Sequence, residues 1–214
     1  YRSVEKTSVD LLKFGSTRDV GLSFRGAFDA GRTVRYHAMI ANGSSTGGET
    51  NAGKKAMGAL ALYPTDSFVF EGYVDYEDRP GETDRSTYQA FAGVMGDWGR
   101  IGLQAVRQHR DVTGGDGLDL DLASVFGVFT LTDTVNVLTR YDQMFDPNPD
   151  GAKISYIPFD QTAKSSFVLL GIDVEINGAL NIIPNVEWVT YDALGEVSDP
   201  DQDLIPRVTF FYRF

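Results

Sequence analysis

Hydrophobic and polar residues alternate along most of this chain with a period of two, which is the spacing of side chains on the two faces of a β-strand. The pattern is clearest in residues 203–214, DLIPRVTFFYRF. Leu204 and Phe210 fall on one side of that segment, and Arg207 and Thr209 fall on the other. The alternation predicts an extended strand with one apolar face and one polar face.

The same alternation recurs in ten segments between Asp19 and Asp192. Short turns (29–32, 64–67, 96–99, 131–134 and 177–178) and long polar loops (about 42–51, 77–86, 109–117, 145–163 and 193–202) follow one another in strict alternation. Outer-membrane barrels have short periplasmic turns, long extracellular loops and spanning strands of about 9–11 residues. We therefore predict an all-β, antiparallel up-and-down transmembrane β-barrel, with about eleven strands in this chain.

Two regions are expected. Residues 1–18 lack clean alternation, and we interpret them as an irregular segment, a candidate for a loop folded into the lumen. Residues 19–214 form the barrel strands with their turns and loops. The first and last strands run in the same direction, whereas bacterial single-chain barrels have an even number of strands and cannot leave edges unpaired in lipid. We therefore expect that strands upstream of Tyr1, or another polypeptide, complete the barrel.

Composition excludes several classes of function. The 214-residue chain has a net charge of -11 and a pI near 4.5, which argues against a general nucleic-acid binder. It has no Cys, so disulfides and thiolate metal sites are excluded, and its two His leave little for a His-based cluster. We predict no cofactor and no enzymatic activity, with outer-membrane lipid as the surrounding partner.

Charged residues of the predicted polar face would line the lumen. Alternation places these residues inward: Arg25, Arg35, His37, Glu71, Asp75, Arg100, Arg140, Asp142 and Arg207, together with Asp121 and Glu187. Rings or opposed walls of charge select ions in channels. For each residue the alternative is that it merely solvates a wide channel and pairs with a neighbour.

Two loops carry other candidate chemistry. Asp146, Asn148 and Asp150 have the D-x-N-x-D-G spacing of a calcium loop, although no Glu follows at the spacing of the bidentate ligand. An ordinary acidic turn is the alternative. His109 near Asp111 and Asp116 could indicate a hydrolase, but nothing else in the sequence supports a catalytic constellation.

The chain resembles phosphate-selective porin O/P-type proteins in three places. Arg2-Ser3 followed by Arg18-Asp19-Val20-Gly21 is similar to one of their segments, and Ile182–Asp192 is similar to their penultimate strand. The terminal strand also fits, and the resemblance implies that Phe214 is part of an assembly signal. It further implies a roughly sixteen-stranded and often trimeric diffusion porin of the bacterial outer membrane, of which this chain would be the C-terminal part. The family's phosphate ladder cannot be matched residue by residue.

The expected function is passive diffusion of small hydrophilic solutes or ions, with anions as one candidate class. The alternative is a structural or surface-exposed barrel subunit whose acidic extracellular loops bind a partner.

Overall fold

The computed structural model describes residues 4–16, 18–45, 47, 51–154, 156–157, 159–195 and 198–214. Tyr1 and the Arg2-Ser3 pair of the resemblance lie outside the described residues, as does part of the loop after Asn42. The strands are β1 (Gly21–Ala27), β2 (Val34–Ala41), β3 (Lys55–Thr65), β4 (Phe68–Glu77), β5 (Arg85–Gly96), β6 (Gly99–Arg110), β7 (Leu118–Thr132), β8 (Val135–Met144), β9 (Ala163–Asn177), β10 (Leu180–Ala193) and β11 (Asp203–Tyr212).

The eleven strands form one antiparallel sheet in chain order, so that each strand pairs with its sequence neighbours. The predicted all-β antiparallel arrangement of about eleven strands is confirmed. Within the described residues the sheet does not close on itself, because β1 and β11 are its two edges. None of the helices in these ranges has the length and apolar character needed to cross a bilayer.

Local chemistry fixes the short turns. The Asp29 carboxylate accepts hydrogen bonds from the backbone N–H groups of Thr33 and Val34, both at 2.9 Å. These bonds, from Val34 first and Thr33 second, lower the pKa of Asp29. At the β5–β6 turn Gly99 has a φ of +124°, and a Cβ there would lie 1.9 Å from the Val128 carbonyl oxygen. A side chain at this position would therefore collide with the neighbouring strand.

The face of the sheet that we call the outer face is apolar and exposed. It carries Leu22, Phe24, Phe70, Val208 and Phe210, and the last of these is 69% exposed. A soluble monomer rarely exposes so large an apolar surface. In a barrel it is the surface that contacts lipid.

The opposite face, the inner face, is partly covered by two segments. The opening segment, residues 4–16, contains one helical turn, α1 (Ser8–Leu11). The β8–β9 loop contains a short 3₁₀ helix, Gly151–Lys153. Both segments pack against β6–β10, and together they enclose an apolar core. The buried core residues are Leu11, Leu12, Phe14, Val106, Leu120, Leu122, Val128, Leu138, Met144, Ile154, Ile157, Phe159, Phe167, Leu169, Ile183 and Val189.

Candidate functional site

Strand register places all nine predicted lining residues on the inner face. They are Arg25, Arg35, His37, Glu71, Asp75, Arg100, Arg140, Asp142 and Arg207. The inner face has two parts. Its covered half, β6–β11, lies under the opening segment and the β8–β9 loop. Its open half is β1–β4, and β5 lies between the two halves. Neither the open half nor β5 contributes a residue to the apolar core. Whether these residues line a conducting pore stays a prediction.

Side chains of the covered half hold the opening segment by its backbone carbonyls. Gln108 Nε2 donates to the Phe14 carbonyl at 2.6 Å, and Asn148 Nδ2 donates to that of Leu12 at 2.7 Å. The Arg110 and Arg140 guanidinium groups reach the carbonyls of Lys13 and Lys6. Four donors from two strands and one loop thus fix a segment with little regular structure of its own, and they satisfy backbone acceptors that helix formation leaves unpaired.

Arg140 and Asp142 form a buried pair on β8 rather than two independent lining charges. Arg140 Nε lies 2.9 Å from both carboxylate oxygens of Asp142, which also accepts from Ser124 Oγ at 2.6 Å. Asp142 is 1% exposed. Because each charge is neutralised by the other, neither presents a free charge to a permeating ion.

Arg207 joins the opening segment to the last two strands. Its Nη1 atom lies 3.0 Å from Glu187 Oε1 and 3.4 Å from Glu5 Oε2. Tyr156 of the β8–β9 loop donates its hydroxyl to Glu5 Oε1 at 2.8 Å. Burial first, and then this hydrogen bond, raise the pKa of Tyr156, so its hydroxyl remains a donor at neutral pH. The opening segment, the loop and the sheet are therefore tied at one point.

The candidate calcium loop is instead bound to the protein's own cations. Asp150 Oδ2 lies 2.7 Å from Arg110 Nη1 and 3.1 Å from Arg85 Nη2, and Oδ1 lies 2.6 Å from Lys153 Nζ. The Asp146 carboxylate accepts from the backbone N–H of Asp121 at 2.9 Å. In the described part of the chain no group of three or more His, Asp or Glu side chains is placed to hold a metal. The structure thus does not gather Asp146, Asn148 and Asp150 around a cation.

The open half carries a basic cluster towards its short-turn end. A pocket there is lined by Arg25, Arg32, Arg35, His37 and Glu71. The Arg35 guanidinium carbon lies 4.0 Å from the centroid of the Tyr63 ring, a cation–π contact. Towards the long-loop end the charges are paired, since Lys55 Nζ lies 2.9 Å from Asp75 Oδ2. The basic cluster thus brings three Arg side chains together with one carboxylate, that of Glu71.

The register corrects one predicted lining residue. Asp121 lies on the outer face near the long loops, where it forms a 2.6 Å ion pair with Arg107, because Leu120 and Leu122 turn inward beneath the opening segment. His109, the candidate hydrolase residue, is also on the outer face, with Asp119 at 2.6 Å and Asp111 at 3.3 Å. Tyr191 lies on the inner face and donates to Asp203 at 2.8 Å.

Sequence reasoning missed an aromatic pair on the inner face. The Phe91 and Phe126 rings are 6.3 Å apart with an interplanar angle of 10°. Their strand positions alternate correctly, but alternation alone marks them only as apolar residues on a polar face. Phe214, the predicted assembly signal, is fully exposed at the chain end, and its role stays a prediction.

Two solved structures of OmpT, an outer membrane protein of Vibrio cholerae, are similar to this chain. The in-vitro folded form gives a TM-score of 0.58 at 13% identity, covering 91% of this chain and 62% of that chain. The outer-membrane expressed form gives 0.59 at 12% identity, covering 91% and 63%. This chain thus spans less than two thirds of the length of OmpT. No protein-family model and no curated protein matches it.

These comparisons establish the fold of an outer-membrane β-barrel, and with it the predicted location in the bacterial outer membrane is confirmed. The prediction that the chain has no enzymatic activity must be corrected. Its basis was the sequence alone, and likeness to OmpT at 12–13% identity shows a fold without showing an activity. Because unrelated activities share one fold, the exclusion of an enzyme is withdrawn.

Proposed function

We propose that this chain forms part of the wall of a water-filled channel for the passive diffusion of small hydrophilic solutes or ions across the outer membrane. The observation that carries the proposal is the division of the inner face. Its covered half is filled by the opening segment and the β8–β9 loop, whereas the open half presents Arg25, Arg35 and His37 without a covering core. The permeation path runs along this open wall, and the opening segment narrows it from the other side.

Charge placement supports a path for ions. Arg25 and His37 are exposed on neighbouring strands and are register partners. Arg35 lies two residues before His37 on β2, so the two side chains occupy successive positions of the inner face. The two Arg side chains and the imidazole of His37 between them therefore form a continuous basic patch in the proposed path, and rings or patches of one sign bias which ions pass.

The number of strands in the complete barrel and its oligomeric state are also part of this proposal. The edges of β1 and β11 are unpaired among the described residues, and unpaired backbone groups cost several kcal/mol each in lipid. We infer that further strands complete a barrel of about sixteen, as in the phosphate-selective porin O/P-type proteins that the sequence resembles. A trimeric assembly follows from the same resemblance.

Single-channel recording in planar bilayers tests the channel. The protein is inserted at high dilution in 1 M KCl, and the expected result is stable, ohmic current steps of one size. A protein that inserts, as shown by protease protection of its strands, yet gives no current steps would contradict the proposal.

A further inference from the structure

We infer that the cavity beneath the first residues of the opening segment is a binding subsite for an uncharged, sugar-like solute inside the proposed channel. The inference rests on the proposed function, because solute reaches this part of the inner face through the channel. The cavity has a volume of about 260 Å³ and lies between residues 5–8 and the inner faces of β5–β9. That volume is slightly below the range of drug-sized pockets, which suits one small solute.

The floor of the cavity contains the aromatic pair. Phe91 on β5 and Phe126 on β7 lie on either side of β6, where Gly102 has no side chain. A Cβ at Gly102 would lie 2.4 Å from the Phe126 ring and 2.9 Å from the Phe91 ring. Its register partner Gly93 is in the same position under Phe91, since a Cβ there would lie 3.1 Å from the ring. Two paired glycines thus let both rings lie low and nearly parallel across three strands.

This aromatic surface is set apart from the apolar core that the opening segment covers. Both rings are only half-buried, so the opening segment does not use them as core. Half-exposed aromatic rings in a concave, polar site are the usual means of binding a solute with one flat apolar face. The C–H face of a sugar ring is such a surface.

An uncharged polar pair stands at the wall of the cavity beside the Phe91 ring. Ser8 Oγ donates to Gln104 Oε1 at 2.6 Å, so a hydroxyl and an amide stand together at the wall. Each charged residue of the lining already has a partner: Arg140 pairs with Asp142, Glu5 with Arg207 and Tyr156, and Lys6 Nζ lies over the Tyr156 ring, 5.3 Å from its centroid. A charged solute would have to displace these partners, whereas hydroxyls of a neutral solute exchange hydrogen bonds with Ser8 and Gln104. This arrangement favours a neutral polyhydroxylated solute over an acid.

The test measures binding of glucose and maltose, with gluconate as the charged comparator, to protein reconstituted in lipid vesicles, by titration calorimetry. We expect saturable binding of the neutral sugars that weakens at least tenfold in Phe91→Ala and Phe126→Ala. Gluconate should bind at least tenfold more weakly than glucose. Phe91→Leu keeps apolar volume but removes the ring face, so it should show the same loss if the alanine variants fold poorly.

Phe211→Ala is the matched control. Phe211 is also an inner-face ring, but it lies on β11 beneath the Arg213 guanidinium and away from the cavity, so its removal should leave sugar affinity unchanged. The subsite would be overturned if the wild-type protein showed no saturable sugar binding, or if the Phe91 variants bound sugar as tightly as wild type. It would also be overturned if gluconate bound as tightly as glucose. Sugar binding without bilayer current would leave the subsite standing and refute the channel. Ohmic current that maltose does not interrupt, together with an absence of sugar binding, would support the channel and refute the subsite.

Discussion

Asp150 shows how a single side chain can decide the arrangement of an inner-face loop. It comes from the β8–β9 loop, yet its carboxylate contacts Arg85 at the start of β5 and Arg110 at the end of β6. Arg110 is 5% exposed, and it also donates to the Gln108 side chain and to the Lys13 carbonyl of the opening segment. Removing Asp150 would leave buried cations without a counter-charge, which is far more costly than losing a surface ion pair.

The first prediction concerns the pH dependence of this cluster. Burial acts to raise the pKa of Asp150, but Lys153, Arg110 and Arg85 outweigh it and hold the pKa below its ordinary value. The stabilisation is therefore fully present above the unfolded pKa, about 3.9, and is lost as pH falls through the lower folded pKa. Asp150→Asn should cost about 3 kcal/mol of unfolding free energy at pH 7, and the gap to wild type should shrink below pH 4.

Denaturant unfolding in lipid vesicles between pH 7 and pH 3 measures this gap. Asp97→Asn, in the exposed β5–β6 turn, is the control and should match wild type at neutral pH. A gap for Asp150→Asn that stays constant across the whole pH range would show that the carboxylate's charge is not what stabilises the cluster.

At this scale the sequence predicted side-chain direction better than side-chain partners. Period-two alternation was enough to place Arg35 and Arg140 on the inner face. It failed at Asp121, where the alternating LDLDL run has apolar residues that a covering segment buries on the inside. The two Arg partners of Asp150 lie 40 and 65 residues away along the chain, and no local pattern encodes contacts at such separations.

The register of the strands is the next scale, and it gives a direct test of the two faces. Val137 and Val208 lie on the outer face, whereas Asn136 and Thr209 lie on the inner face. Arg at the midplane of the lipid-facing surface costs about 2–4 kcal/mol. We expect Val208→Arg, in the middle of β11, to lower the unfolding free energy in vesicles by about this amount, and Val137→Arg, near the short-turn end of β8, to lower it by less. Thr209→Arg and Asn136→Arg, on the inner face, should each lower it much less than the neighbouring Val variant. Equal losses in the two sets would show that the faces are reversed.

The opening segment is the element that the sequence predicted least well. Its lack of alternation indicated correctly that it is not a regular strand, but the helical turn α1 and the buried side chains of Leu11, Leu12 and Phe14 were not predicted. Three apolar residues within four positions fit no strand or long-helix period. They become interpretable only when the apolar inner face of β7, with Leu120 and Leu122, is available to bury them.

A third prediction follows from this packing. Phe14 is 1% exposed, and truncating a buried Phe costs about 3–5 kcal/mol. In Phe14→Ala we expect residues 4–16 to exchange amide hydrogens at least tenfold faster while the strands keep their protection. Single-channel conductance should rise, because a loosened segment obstructs the path less. Phe145→Ala, at a ring 49% exposed, is the control and should change neither quantity. Faster exchange with unchanged conductance would show that the segment lies outside the path.

For the whole molecule, the order of the strands could be predicted from the sequence because every connection is local. Short turns that alternate with long loops are enough to predict an antiparallel meander, in which each strand pairs with its neighbours in sequence. What could not be predicted is which part of the inner face is filled. That depends on two segments, 4–16 and the β8–β9 loop, which are far apart in the sequence and meet through Glu5 and Tyr156.

The covering of β6–β11 also changes which ions the channel is expected to prefer. The net charge is -11, but the acidic loops lie outside the strands and much of their field is screened within about 8–10 Å at 0.1–0.15 M salt. Selectivity is set instead by charges in the path. Arg140 is paired with Asp142 and covered, whereas Arg25 and Arg35 line the open half. The channel should therefore prefer anions, and that preference should depend on Arg25 and Arg35.

Reversal potentials in a tenfold KCl gradient measure this preference. We expect Arg35→Ala to move the reversal potential towards the value of a cation-selective channel. The double variant that carries both Arg25→Ala and Arg35→Ala should move it further in the same direction. Arg140→Ala is the matched comparison, because it removes the same charge from the covered half. Its reversal potential should follow wild type in channels that still open, since Arg140 and Asp142 lie beneath the opening segment, outside the path along β1–β4. A wild-type cation preference that neither Arg25→Ala nor Arg35→Ala alters would place the permeation path elsewhere than along β1–β4.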